Sequence, residues 1–206
     1  MRVVVLGATG ATGRHVVTAA LTRGLHVVAL ARRPETLSEL AHDNLEPRRA
    51  DVHDPDTVTA ACHDADAVIS ALGISKGGRV DTLSAGAHAV ADAKVPRVAW
   101  MGSFGVGASR DRSGRLYEFV QRRVLGAGFA DKVAADAIIA GPHSTVFHPV
   151  ILTSGPPTGR ARVVPLDALD RRWRVFPPRV ARADVAAAMV AEVENPAHAG
   201  LTVAVL

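Results

Sequence analysis

The chain has 206 residues, of which 48% are hydrophobic, so it can bury one substantial core and is predicted to form a single domain over residues 1–206. A lone cysteine, Cys62, excludes an internal disulfide, and no apolar run approaches the roughly 20 residues that a membrane-crossing helix needs. The apolar start at Met1 is too short for a signal peptide, so we expect a cytoplasmic protein without a membrane partner. The net charge is +4 and comes mostly from arginine, but few aromatic residues lie among the arginines, so nucleic acid is not an expected partner.

The chain begins with a strand-like apolar run over residues 2–6, which a glycine-rich segment and a helix-like stretch follow at once. In such a strand-to-helix turn, the first glycine permits a tight bend, the second lets the backbone approach a pyrophosphate, and the third lets the helix pack on the strand. Phosphates would then lie on free N–H groups at the positive end of the helix. The motif therefore predicts a dinucleotide site, with these cofactor-binding residues: Gly7, Thr9, Gly10, Ala11, Thr12 and Gly13.

Short apolar runs alternate with helix-like segments along the rest of the chain. Strands are predicted at residues 2–6, 27–31, 45–50, 67–71, 98–101 and 145–147, of which 45–50 has the least regular pattern. Helices are predicted at 12–23, 35–42, 56–62, 82–93, in a long segment ending near Ala140, and at 183–194. This alternation predicts an α/β fold, a Rossmann-type doubly wound parallel sheet with helices on both faces. The segment 155–178, rich in Pro, Gly and Arg, departs from the pattern and is predicted to form a small C-terminal cap that shapes a substrate pocket.

Two arginines, Arg32 and Arg33, follow the second predicted strand. In this fold an acidic residue at that place would accept hydrogen bonds from the 2′-hydroxyl of NAD. A 2′-phosphate instead matches the planar fork of a guanidinium, so the arginines favour NADPH over NADH as the cofactor. The alternative is a solvated basic turn.

The ends of the third and fourth predicted strands add further candidates. Asp51, next to Val52, is placed to reach the adenine amino group, although a helix-capping role would place an aspartate there equally well. Ala71, Leu72 and Gly73 are small or flexible enough to let the backbone pass close to the ribose and the nicotinamide. All of these positions fall at the carboxyl edge of the sheet, where ligands bind in such folds.

These motifs together resemble one family. The segments 7–13, 29–34, 50–52 and 68–73, followed by 101–104, 131–132, 150–156 and 182–185, are similar to atypical short-chain dehydrogenase/reductases. The resemblance is strongest to the NAD(P)H-binding NmrA-like group, which includes the biliverdin reductase B-like flavin reductases. It covers nearly the whole chain and implies an NAD(P)-binding Rossmann fold, but it does not specify a substrate.

The catalytic residues of this superfamily are only partly present. Ordinary members use a Ser, and a Tyr four residues before a Lys, to protonate a carbonyl oxygen, whereas Tyr117 is followed four residues later by Gln121. The resemblance implies a pocket role for Ser103 and a catalytic position for Lys132. The alternatives are a loop-turn role for Ser103 and a salt bridge from Lys132 to Asp136, its neighbour one helical turn away.

The absence of the usual catalytic tyrosine favours a reaction that needs little acid catalysis from the protein. Hydride transfer from NADPH to a flavin, a quinone or a related conjugated small molecule needs little acid catalysis, because such acceptors are good electron sinks and take a proton from solvent. A second hypothesis is a redox sensor of the NmrA-like type that binds NADP without turning it over, and a third is a sugar-nucleotide epimerase-like enzyme. The nine histidines show no metal-binding spacing, so no metal is expected. The expected partner is a small-molecule acceptor, and the oligomeric state is left open.

Overall fold

The computed structural model describes residues 1–74, 78–170 and 176–206. The strands are β1 (Arg2–Leu6), β2 (His26–Ala31), β3 (Leu45–Arg49), β4 (Ala67–Ser70), β5 (Val98–Met101), β6 (Ser144–Pro149), β7 (Ile151–Thr153), β8 (Val163–Pro165), β9 (Arg179–Ala181) and β10 (Thr202–Val205). The α-helices are α1 (Gly13–Thr22), α2 (Pro55–Cys62), α3 (Thr82–Asp92), α4 (Arg115–Leu125), α5 (Gly128–Ile139) and α6 (Arg182–Glu194), and 3₁₀ helices cover Pro34–Leu40 and Gly107–Arg112. Within this described part of the chain, no helix combines the length and apolarity needed to cross a membrane.

Eight strands form one sheet in the order β3-β2-β1-β4-β5-β6-β10-β8. Neighbouring strands are parallel except for β10 and β8, which are antiparallel. The chain builds outward from β1 to β3, then crosses back and builds in the other direction from β4. This is the Rossmann-type doubly wound sheet that the sequence predicts, and its switch point lies between β1 and β4, where ligands bind in such folds.

Strand β1 shows why its residues form a central strand. Val3 and Val5 belong to the core on the side of α1 and α6, whereas Val4 and Leu6 belong to the core on the side of α2, α3 and α5. Since successive side chains of a strand point to opposite faces, a strand covered by helices on both faces must be apolar throughout. The two cores hold β1 rigidly below the glycine-rich turn.

Two predicted helices differ from the structure. The predicted helix at 35–42 is a 3₁₀ helix over Pro34–Leu40. The predicted long helix ending near Ala140 is divided into α4 and α5, because Gly126 adopts a positive φ of 52° that ends α4.

The predicted cap at 155–178 is partly a component of the sheet. Strand β8 pairs antiparallel with β10 at the sheet edge, with Val163 opposite Val205. The 171–175 part of this prediction lies outside the described residues. Strand β7 pairs in parallel with β9 in a separate two-stranded sheet, with Thr153 opposite Ala181, and this pairing brings the start of α6 next to the end of β7.

Candidate functional site

A cavity of about 480 Å³ lies at the carboxyl edge of the sheet, over the switch point between β1 and β4. Loops after β1 to β5, strand β7 and the start of α6 form its walls. Most of the predicted cofactor-binding residues line it: Gly7, Thr9, Gly10, Ala11, Thr12, Arg32, Asp51, Val52, Ala71, Leu72 and Gly73. Residues from four separate parts of the sequence therefore lie together in one cavity.

The glycine-rich turn shows why glycines are needed. Gly7 has a φ of +73°, and a Cβ on it would lie 2.7 Å from the carbonyl oxygen of Ala71, the residue after β4. A Cβ on Gly13 would collide with the carbonyl oxygen of Gly7, so α1 starts directly against the turn. The turn is closed by a hydrogen bond from the N–H of Gly10 to the carbonyl of Gly7 at 2.9 Å. Gly13 does not line the cavity but permits this close approach.

The start of α1 presents N–H groups to a ligand. Among the described residues, the amides of Ala11, Thr12 and Gly13 have no hydrogen-bond partner, and Ala11 and Thr12 line the cavity. Unpaired N–H groups and the helix dipole together attract an anion. A cradle that only glycines can form, next to free amide donors, fits the pyrophosphate of a dinucleotide.

The two predicted arginines separate at the end of β2. Both arginines are exposed, but only Arg32 is among the described lining residues of the cavity. The carbonyl of Arg33 instead accepts hydrogen bonds from the N–H and hydroxyl of Thr36, at the start of the 3₁₀ helix. Only Arg32 is therefore placed at the cavity wall.

Asp51 lies on the cavity wall at the end of β3. Its Oδ1 accepts a hydrogen bond from the N–H of His53 at 3.0 Å, which closes a short turn. Asp54, not Asp51, precedes Pro55 at the start of α2, so the helix-capping alternative is not the role of Asp51 here.

The predicted catalytic residues lie outside the described cavity lining. Ser103 follows β5 and is partly exposed, and its carbonyl accepts a hydrogen bond from Val106 in a tight turn. Burial lowers the pKa of Lys132, and the nearby carboxylates of Asp136 and Asp131 oppose that shift. Within the described residues Lys132 makes no ion pair with Asp136, so the salt-bridge alternative is not formed. A substrate contact for Ser103 or Lys132 stays a prediction.

His148 makes a buried polar connection near Ser103. Its Nδ1 lies 2.7 Å from the hydroxyl of Ser109 and its Nε2 lies 3.0 Å from Oδ2 of Asp136. Ser109 and His148 have no exposed surface, and Asp136 is 9% exposed. This serine, histidine and aspartate series connects a 3₁₀ helix, β6 and α5 inside the protein, and none of the three lines the cavity.

The lone tyrosine is also a core residue. Burial raises the pKa of Tyr117, and its hydroxyl accepts a hydrogen bond from Gln121 at 3.2 Å. Phe104 and Phe147 are fully buried in the same core and do not line the cavity. The described cavity wall therefore contains no tyrosine that could act as an acid.

Several cavity residues were not predicted as site residues, among them His53, Arg79, Met101, Leu152 and Arg182. Met101 ends β5, so the rule that ligands lie at the carboxyl ends of strands was sufficient to find it. Leu152 and Arg182 reach the cavity through the pairing of β7 with β9, which no local sequence pattern shows.

Comparison with known proteins identifies the family. The sequence profile of a family described as NAD(P)H-binding matches residues 7–196, starting at the first glycine of the turn. The chain belongs to this NAD(P)H-binding family. No curated protein sequence matches the chain.

Solved structures share the fold along the whole length of this NAD(P)H-binding protein. A Bacteroides thetaiotaomicron protein proposed to be an epimerase is 26% identical, with 99% of this chain and 95% of that chain covered and a TM-score of 0.78. The anaerobilin reductase ChuY of Escherichia coli O157:H7 is 22% identical, with coverage of 100% and 97% and a TM-score of 0.78. A Veillonella parvula short-chain dehydrogenase/reductase in complex with NADP is 14% identical, with coverage of 99% and 93% and a TM-score of 0.76.

Proposed function

We propose that this protein is an NADPH-dependent oxidoreductase that transfers a hydride to a flavin, a quinone or a related conjugated small molecule. The observation that carries the proposal is a cavity that joins a dinucleotide cradle to an apolar wall and whose described lining contains no tyrosine. Such a site suits an acceptor that needs orientation and no acid from the protein.

Different residues of the chain would bind different parts of the cofactor. The free amides of Ala11 and Thr12 would hold the pyrophosphate, and Arg32 would pair with the 2′-phosphate that distinguishes NADPH from NADH. Asp51 would accept a hydrogen bond from the adenine amino group. Each of these residues lines the cavity.

The opposite part of the cavity would hold the acceptor. Met101 and Leu152 line it beyond the switch point and supply apolar surface for a flat ring. When bound, NADPH supplies the hydride. The chain would orient the nicotinamide and the acceptor ring, and the acceptor would take its proton from solvent.

Two of the solved structures support this proposal. ChuY is a reductase and the Veillonella parvula protein holds NADP. Their TM-scores of 0.78 and 0.76 establish the shared fold.

The test is NADPH oxidation at 340 nm with FMN, riboflavin and a simple quinone in turn, alongside a titration for NADPH binding. We expect oxidation that depends on an acceptor and is at least several times faster with NADPH than with NADH. Tight NADPH binding with no oxidation by any of the three acceptors would contradict the proposal and favour the sensor hypothesis.

A further inference from the structure

Arg182 stands at the acceptor end of the cavity, where the sequence predicted no ligand contact. It is the first residue of α6, directly after β9, and it lines the cavity together with Met101 and Leu152. Its Nη1 donates a hydrogen bond to the hydroxyl of Ser154 at 3.2 Å. Within residues 1–74, 78–170 and 176–206, no carboxylate forms an ion pair with it.

Seven other arginines of the described chain differ from Arg182 because they form ion pairs. Carboxylates pair with Arg2, Arg14, Arg23, Arg48, Arg79, Arg110 and Arg122. The acid nearest to Arg182 in sequence, Asp184, accepts hydrogen bonds from the N–H groups of Thr158 and Gly159 and from the Thr158 hydroxyl. The Asp184 carboxylate therefore binds the 158–159 turn and does not pair with the guanidinium of Arg182.

Helix stability does not explain a cation at this position. The N-terminal turn of a helix carries a partial positive charge, so an arginine there is disfavoured by the helix dipole. A half-exposed arginine that lines a cavity, bonds to a serine and has no carboxylate partner keeps guanidinium donors for an anion.

We propose that Arg182 binds an acidic group, a carboxylate or a phosphate, on the acceptor, and that Ser154 positions its guanidinium. This inference rests on the proposed function and narrows its substrate class to conjugated acceptors that carry an acidic group. The cofactor's own phosphates are expected at other residues: Ala11 and Thr12 precede α1 and Arg32 follows β2, whereas Arg182 lines the cavity together with Met101 of β5 and Leu152 of β7.

FMN and riboflavin test the proposal because they share one ring system and differ by a phosphate. In the wild type we expect kcat/KM for FMN to exceed that for riboflavin by about tenfold, the effect of one charge-assisted hydrogen-bonded pair. Arg182→Gln should remove this preference mainly through KM for FMN and leave riboflavin within about twofold. A quinone with a carboxylate, compared with its neutral parent, shows whether the site takes carboxylate as well as phosphate.

Two further variants control the experiment. Arg179→Gln removes the same charge from an exposed position on β9 that is not among the described lining residues, and it should keep the FMN preference. Ser154→Ala should weaken the preference to a smaller extent than Arg182→Gln, because it frees the guanidinium without removing it.

A binding measurement separates this inference from the proposed function. Quenching of flavin fluorescence reports FMN and riboflavin binding to the protein loaded with NADP⁺, without any turnover. Weaker FMN binding in Arg182→Gln, with NADP⁺ affinity unchanged, supports the acidic-group site even if no acceptor is reduced. Equal FMN and riboflavin binding in the wild type, or an Arg182→Gln variant that loses NADP⁺ affinity and keeps its FMN preference, would overturn it.

Discussion

Nε2 of His148 lies 3.0 Å from Oδ2 of Asp136, and both side chains are buried beneath the loop that carries Ser103. A Cβ on Gly102, at the start of that loop, would lie 2.8 Å from both side chains. With Ser109 on the other imidazole nitrogen, the arrangement has the connectivity of a hydrolytic triad. Because none of the three lines the cavity, it stabilises the fold and leaves Ser109 no access to a substrate.

His148→Ala should therefore destabilise the protein without altering cofactor binding. The substitution leaves Oδ2 of Asp136 without its partner, and Oδ1 already has none in the described structure. We expect a loss of about 1–3 kcal/mol in the free energy of unfolding, measured by urea denaturation, and an unchanged Kd for NADPH. An unaltered unfolding curve with lost NADP(H) binding or turnover would show that His148 acts in the site instead.

Arg32→Ala should reduce the preference for NADPH over NADH. The guanidinium is at the cavity wall, so its removal should weaken NADPH binding by about tenfold, the value of one charged hydrogen bond, with little effect on NADH. Arg33→Ala is the matched control, because Arg33 is exposed and outside the described lining. Equal effects of the two substitutions on the Kd values, measured by calorimetry, would mean that the basic turn acts only through its net charge.

Asp184 should make the unfolding free energy depend on pH in the acid range. Burial would raise the pKa of Asp184, but the hydrogen bonds from Thr158 and Gly159 outweigh it and the pKa is lowered. A carboxyl with a lowered pKa stabilises the fold fully above its unfolded pKa of about 3.9 and loses that contribution as pH falls through the folded pKa.

Asp184→Asn should consequently unfold more easily at pH 7 and show a shallower loss of stability on acidification below about pH 4. The measurement is urea denaturation between pH 7 and 3, with the exposed Asp43→Asn as control. If Asp184→Asn lowered the free energy of unfolding by the same amount at every pH, the lowered pKa of Asp184 would be contradicted.

Cys62 should be unreactive in the folded protein. Burial raises the pKa of its thiol to about 11, and the residue is 3% exposed. At pH 8 the reactive thiolate is therefore scarce and shielded. Labelling with Ellman's reagent should become fast only in denaturant, and rapid labelling of the native protein would show that α2 does not cover the thiol.

The fold was largely predictable because its signals are local. Strands β1 and β5 have the predicted bounds, since each is a short apolar run, and the Gly7 turn identifies the switch point. The division between α4 and α5 was missed because a glycine inside a helix-like segment can be tolerated, and the positive φ of Gly126 that ends α4 is seen only in the structure. The pairing of β7 with β9 was missed because it joins residues that are far apart in the sequence.

The site residues that directly follow a strand could be predicted from the sequence. Arg32 and Asp51 follow strands and line the cavity. The assignment of Ser103 and Lys132 came from resemblance, and the described structure does not place either at the cavity wall. Arg182 reaches the cavity only through a tertiary pairing, so its position could not be predicted from local pattern.

A titration with NADPH, using two substitutions of Ala11, tests the central claim that the cavity above the glycine-rich turn binds the dinucleotide. Ala11 is exposed, lines the cavity and has an unpaired N–H at the start of α1. Ala11→Glu places a negative charge where the pyrophosphate would lie, and Ala11→Gln adds the same bulk without the charge. We expect one NADPH per wild-type chain and an affinity at least about tenfold weaker for the Glu variant than for the Gln variant. Equal affinities for the two variants would contradict it.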